Sequence, residues 1–151
     1  MLPAGLDLSE ECRIYHEGIR LFNDGRFFEA HEVWEDNWKG VADKRREQFY
    51  RAIIQAAVTL ELLRRQRAVG VRQVFISCLE LFDGLGERYM GLNIPDFLAK
   101  LRHAVQHTID DLETRFVRFD ASRLFLITLE YDPFSESRCG ENAAAPGKPN
   151  L

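Results

Sequence analysis

Apolar residues recur at steps of three and four from Leu8 to Phe116, and clean alternation is almost absent over that span. This period marks helices with one buried face and predicts an all-α fold, a compact bundle of about five helices. The first runs from about Leu8 to Phe22, with Asp7 and Glu10 in capping-box spacing and Leu8, Cys12, Tyr15, Ile19 and Phe22 on one face. Asn23, Asp24 and Gly25 end it. The second runs from about Phe27 to Trp38, and Gly40 is expected to stop it in a left-handed conformation. The third follows Asp43 and reaches about Arg67. Its middle, AIIQAAVTL, is apolar around most of its circumference, as the central rod of a bundle must be. The fourth spans about Gly70 to Leu85, GERYMGLN reads as a loop, and the fifth starts at Pro95. That last helix is expected to turn Leu98, Leu101, Val105, Ile109, Leu112 and Phe116 inward.

Beyond it the pattern changes. Arg123 to Tyr131 (RLFLITLEY) is short, β-branched and aromatic, and predicts an extended segment laid on the bundle. From Ser135 onward Ser, Gly, Ala, Pro and Asn dominate, and such a tail does not bury enough apolar surface to repay its ordering entropy. The expected organisation is one helical domain over 1–134 and a disordered tail over 135–151.

With 151 residues, 46% apolar and 29% charged, the chain has the composition of a soluble globular domain. A core of that size folds without a metal or a disulfide, so any metal would be functional. Twenty basic against twenty-four acidic side chains give a net charge of -4, which argues against a nucleic-acid partner. The run Ala52 to Leu60 is broken by Gln55 and Thr59 and is far short of the ~20 residues a membrane span needs. No membrane partner is therefore expected. The opening MLPAGLDLSEECR has neither a basic cluster nor an apolar stretch of signal-peptide type, so a cytoplasmic location is expected. Cys12, Cys78 and Cys139 are odd in number and widely spaced, and read as ordinary thiols.

The unusual chemistry lies on the second helix. Phe28, His31, Glu35 and Trp38 fall at i, i+3, i+7 and i+10 and so form one stripe, expected to face inward. Burying an imidazole and a carboxylate is costly unless they bond each other, a third group or a metal. His31 and Glu35, one turn apart, have the spacing to ligate a common divalent metal, although two ligands alone do not complete a site. The third helix offers a polar stripe of Gln48, Arg51, Gln55 and Thr59 on an otherwise apolar rod. Gln55 could orient the His31 ring. Arg51 could pair with Glu35 instead and turn the couple into a structural salt bridge. In a functional site His31 is the base or metal ligand and Glu35 its orienting carboxylate or co-ligand.

These residues resemble a known family, the bacterial and archaeal helical proteins grouped as domain of unknown function 309, whose hallmark is HxxxExxW. Here it reads His31, Glu35, Trp38 within FNDGRFFEAHEVWEDNW, and a later block of the sense GLIQxA is similar to Ala52–Ala57 (AIIQAA). The resemblance covers about Tyr15 to Leu85. It implies an all-helical bundle and a metal-binding or other functional role for the motif, with no reaction attached. Two positions depart from it: Ala52 stands where glycine is expected, and Glu61 stands near where some members have histidine.

Other readings stay open at this level. The His31/Glu35 couple could be a purely structural hydrogen-bonded pair. The segment IYHEGIRLFNDGRFFEAHEVWEDNW also looks like a tetratricopeptide hairpin with Gly18 and Ala30 at the crossing, which would make the chain a protein-interaction module, although no second copy follows at a 34-residue step. A homodimer through Arg123 to Tyr131 is a third option. His103 and His107 share a face with Asp96, Lys100 and Asp110 and read as solvated, as does His16 beside Arg13 and Arg20. Arg64, Arg65, Arg67 and Arg72 read as cations opposing a helix C-terminal dipole.

Overall fold

Side-chain caps begin three helices where the sequence places Asp or Asn. Asp7 accepts from the Glu10 amide at 2.8 Å, Asp43 from the amides of Arg45 and Arg46 at 2.9 Å each, and Asn93 from Asp96 at 3.1 Å. The computed structural model describes residues 6–113, 117 and 119–135. Among them are five α-helices, α1 (Leu8–Asn23), α2 (Phe27–Gly40), α3 (Lys44–Arg64), α4 (Ala68–Phe82) and α5 (Ile94–Asp110). The all-α architecture follows the hydrophobic period. A hairpin of β1 (Arg88–Tyr89) and β2 (Leu92–Asn93) and a 3-10 turn at Ala121–Arg123 complete the elements.

The α1–α2 corner shows why the first helix stops. Gly25 takes a φ of +79° and donates to the Phe22 carbonyl at 3.0 Å, while Arg26 donates to that of Leu21 at 2.9 Å. This paired pattern is the Schellman cap, and its left-handed position suits glycine. The α3–α4 corner repeats the pattern, with Gln66 donating to Leu63 and Arg67 to Leu62. There the left-handed residue is Gln66, at a φ of +59°. Gly40 departs from expectation: it is not at positive φ, and extended Val41 caps α2 instead. Its missing side chain admits Leu6, whose amide donates to the Gly40 carbonyl at 3.0 Å.

Helix α3 is the central rod, packed between α2 and α4, with Phe49, Ile53, Ala56, Ala57 and Leu60 wholly buried. The α1–α2 contact is closer still. A Cβ at Gly18 would lie 2.0 Å from Trp34 Nε1, so Gly18 is the hollow that receives the Trp34 indole, and that indole donates to the Tyr15 carbonyl at 3.1 Å.

The GERYMGLN stretch, expected as a loop, forms the β1–β2 hairpin, with Tyr89 opposite Leu92. Its two turn residues, Met90 and Gly91, are both at positive φ, the geometry a two-residue hairpin turn needs. Met90 is an unusual residue there, and two contacts hold it: Tyr15 donates to its carbonyl at 2.8 Å, and its side chain is buried. Helix α5 ends before the expected point, leaving Leu112 beyond it and 74% exposed, while Phe116 lies outside the described residues.

Residues 124–129 follow the 3-10 turn as a segment that is neither helix nor strand, with Leu124 extended. The Asn23 side chain substitutes for a neighbouring strand: its amide nitrogen donates to the Ile127 carbonyl at 3.0 Å and its oxygen accepts from the Ile127 amide at 2.7 Å. The disordered tail expected over 135–151 lies, beyond Ser135, outside the described residues. The cysteine expectation needs one correction, because Cys12 is disulfide-bonded. An odd count leaves one thiol over without preventing a pair. Cys78 is a free thiol, and burial pushes its pKa well up.

Candidate functional site

Helix α2 buries Phe27, Ala30, Trp34 and Asn37, a stripe with the same i, i+3, i+7, i+10 spacing as the one expected to face inward but set one residue earlier. The inward orientation expected for Phe28, His31, Glu35 and Trp38 is therefore corrected by one position. They occupy the adjoining, half-exposed face. Phe28 is 44% exposed, and the side chains of His31 and Glu35 are 19% and 35% exposed. The physical reason is the Gly18 hollow, which takes Trp34 and so fixes the rotation of α2.

His31 and Glu35 do meet. Nε2 of His31 lies 3.4 Å from Oε2 of Glu35, and Nδ1 lies 3.0 Å from the Phe28 carbonyl oxygen. A carbonyl oxygen only accepts, so Nδ1 carries the hydrogen and donates. Nε2 of His31 makes no hydrogen bond among the described residues, so its contact with the carboxylate is one of distance alone. In the neutral ring it is an acceptor near another acceptor, and a cation shared by the two would relieve that. The arrangement matches the usual support of a metal-binding histidine, whose second ring nitrogen donates to a backbone carbonyl.

The facing helix supplies the other wall. Arg51, Gln55, Val58, Leu62 and Arg65 follow one another at steps of four and three, so they share a face of α3. Two contacts tie this face to the α2 stripe near its ends. The Trp38 indole donates to Glu47 Oε2 at 3.1 Å, and the Arg65 guanidinium lies over the Phe28 ring, 5.4 Å from its centroid. Arg51 and Gln55 thus fall on the stretch of α3 between those contacts, alongside the pair. Neither does what the sequence suggested. Arg51 is exposed and has no hydrogen bond or ion pair among the described residues, so it does not neutralise Glu35. The Gln55 side chain is likewise uncommitted; only its backbone carbonyl is engaged, by Thr59 Oγ1 at 2.8 Å. Gln48 turns away to the end of α4, donating to the Leu81 carbonyl at 2.7 Å.

A separate polar cluster, unexpected from the sequence, lies on the buried side. Glu11 is fully buried and receives both Nε and Nη2 of Arg46, at 3.0 and 2.9 Å, and the Tyr50 hydroxyl at 2.5 Å. Asn37 donates to the Glu11 carbonyl at 3.1 Å, while its own Oδ1 has no partner among the described residues. Burial works against the Arg46 charge, but the hydrogen bonds and charge of Glu11 outweigh it and hold the guanidinium above its ordinary pKa. Burial, and then the Glu11 carboxylate, push the Tyr50 hydroxyl well up, so it stays a donor. The available signal was that Glu11 stands at i-4 to Tyr15 and i-7 to Gly18, on the stripe that α1 buries.

The basic corner is differently engaged than expected. Arg64 and Arg65 both bind buried Glu61, the latter through Nε at 2.6 Å, and Arg72 donates to the carbonyls of Thr108 and Asp111 at the end of α5. His103 and His107 are exposed, and His16 lies 3.6 Å from Asp132. No group of three or more His, Cys, Asp or Glu placed to share a metal occurs among the described residues, and no helix there is long and apolar enough to cross a membrane.

Residues 15–74, which contain the pair, both α2 stripes and the facing side of α3, match the family model described as Domain of unknown function (DUF309). This stretch is similar to that family. The chain is similar to an uncharacterized protein of Aquifex aeolicus (strain VF5), 24% identical over 100 residues that make up 66% of this chain and 30% of that protein. It is also similar to the uncharacterized protein YpuF of Bacillus subtilis (strain 168), 26% identical over 88 residues, 58% of this chain and 49% of YpuF. The matched part thus spans less than half of either relative. The matched stretch contains the Glu11 cluster only in part, because Glu11 itself lies before residue 15.

Proposed function

We propose that the α2–α3 face of this protein is a small-ligand site built on a cation held by His31 and Glu35, with Trp38, Arg51 and Gln55 at its margins. One observation carries the proposal: Nε2 of His31 and Oε2 of Glu35 stand 3.4 Å apart while Nδ1 is committed to the Phe28 carbonyl. For a tetrahedral ion with bonds of about 2.1 Å to nitrogen and oxygen, neighbouring ligand atoms lie about 3.4 Å apart. The couple therefore has the bite of a divalent ion without rearrangement. Two protein donors leave coordination positions for something else, which suits a site that binds a ligand rather than one that staples the fold.

The donor set fits a borderline ion such as zinc, nickel or cobalt better than magnesium or calcium, which prefer oxygen alone. When bound, such an ion would polarise an oxygen of the ligand. His31 and Glu35 would hold it, and the Phe28 carbonyl would fix the ring. Calorimetric titration of the full chain with cobalt(II) tests the proposal, with His31→Ala and Glu35→Gln alongside. Binding to the wild type that each variant loses is expected. Equal binding by all three chains, or binding by none, would remove the metal and leave the proton as the shared cation.

A further inference from the structure

At the α3–α4 corner the chain leaves a cavity of about 720 Å³, with neither His31 nor Glu35 in its lining. That volume falls in the range of small-molecule sites, roughly 300–1,000 Å³. Three aliphatic side chains give it an apolar wall: Leu62 from α3, Val69 from α4 and Leu112 just past α5. Val69 and Leu112 are 63% and 74% exposed, so this wall is apolar surface left open to water. Arg72, also in the lining, ties the end of α5 to α4 through the carbonyls of Thr108 and Asp111, which keeps Leu112 beside the corner.

The two other charged side chains of the lining are uncommitted. Arg67 and Glu113 make no side-chain hydrogen bond or ion pair among the described residues, although they carry opposite charges and line one cavity. Elsewhere such charges close on one another: Arg88 reaches Glu130, 42 positions away, at 2.6 Å. An anion drawn to Arg67 is opposed by Glu113, and a cation drawn to Glu113 is opposed by Arg67. A molecule with both charges and an apolar body is opposed by neither and also covers the aliphatic wall. We propose that this cavity binds a small zwitterion with an aliphatic body, its carboxylate met by the Arg67 guanidinium and its ammonium by the Glu113 carboxylate. A free aliphatic amino acid and a short aliphatic peptide share this chemistry.

The test titrates the full chain by calorimetry with four probes: L-leucine, leucyl-leucine, 4-methylpentanoate, which is leucine without its ammonium, and 3-methylbutylamine, which is leucine without its carboxylate. At least one zwitterion is expected to bind more tightly than either singly charged analogue, and the tighter of leucine and leucyl-leucine identifies the source. Arg67→Met should weaken that zwitterion about fivefold, the loss of one half-exposed charged contact, without weakening the amine. Glu113→Gln should weaken it to a similar degree without weakening 4-methylpentanoate. Leu112→Ser, which removes part of the apolar wall, should weaken all probes that bind. All three positions are exposed, so these substitutions leave the core untouched. No binding by the wild type, an analogue bound as tightly as both zwitterions, or a zwitterion affinity unchanged in either charge variant overturns the assignment.

Discussion

On the inward face of α2, Asn37 reaches Glu11, whose carboxylate is closed off by Arg46 and Tyr50; one residue further round, His31 reaches Glu35, whose side chain is about a third exposed. Each cluster pairs an acid with a basic group, but they differ in completeness. The Glu11 carboxylate receives three donors at 2.5–3.0 Å from two side chains, which leaves little capacity for anything else. Among the described residues the Glu35 carboxylate has one polar partner, at 3.4 Å, which in its neutral form presents an acceptor rather than a donor. A satisfied buried cluster specifies a fold, and an unsatisfied accessible one is available to a ligand. The contrast separates scaffold from site more sharply than residue type does, since Glu and a nitrogen base occur in both.

The largest effect should follow from opening the closed cluster. Arg46→Met removes the bidentate partner and leaves the Glu11 carboxylate buried with Tyr50 alone. Unpairing a buried charge costs about 3–5 kcal/mol, so a fall of that order is expected in urea unfolding. A loss under 1 kcal/mol would mean that Glu11 reaches water and that the two clusters are alike. Gly18→Ala comes next. Its methyl would fall 2.0 Å from the Trp34 indole nitrogen, and a wholly buried indole has no room to swing away. Overpacking of this kind costs about 1–3 kcal/mol. Because Trp34 sets the rotation of α2, the same change should also disturb the His31/Glu35 pair, visible as altered cobalt binding. A stable Gly18→Ala protein with unchanged binding would break the link between the two faces.

The bundle was legible in the sequence because each helix carries its own apolar period and most carry their own stop. The rotation of α2 was not. Phe27, Ala30, Trp34, Asn37 and Phe28, His31, Glu35, Trp38 satisfy the same template, and the decision between them lies in Gly18, on another helix. The first stripe is the more apolar, and that was the usable signal; the aromatic residues bracketing His31 and Glu35 obscured it. The pairing of His31 with Glu35 was readable, since a one-turn spacing is local. The Glu11 cluster joins three helices across sequence separations of 26 to 39 residues, which no local period encodes. The hairpin was hidden because its turn residue Met90 is stabilised by Tyr15, 75 positions away.

A smaller effect, dependent on pH, is expected at Glu61, which anchors the arginine beside the site. Burial acts to raise its pKa, but the hydrogen bonds of Arg64 and Arg65, with their charges, outweigh burial and hold it below the ordinary carboxylate value. A depressed folded-state pKa contributes stability that is present above the unfolded value of about 4.3 and lost as the pH falls through the folded one. Stability curves of wild type and Glu61→Gln should therefore lie furthest apart near neutral pH and draw together in acid. Parallel curves down to pH 3 would show that Glu61 does not titrate against the arginines. The variant should also loosen Arg65 from Phe28.

The smallest effect on stability should come from the pair itself, and that smallness is the informative part. His31→Ala deletes one hydrogen bond to the Phe28 carbonyl, which lies near the start of α2 and half in solvent, and one long contact to Glu35. Partly exposed interactions of this kind contribute about 1 kcal/mol or less. The expected outcome is an unfolding midpoint close to that of the wild type together with complete loss of cobalt binding. If His31→Ala instead costs as much as Arg46→Met, the pair is a structural salt bridge like the Glu11 cluster. The two faces of α2 would then differ only in exposure, and the open face would need no ligand to account for its histidine.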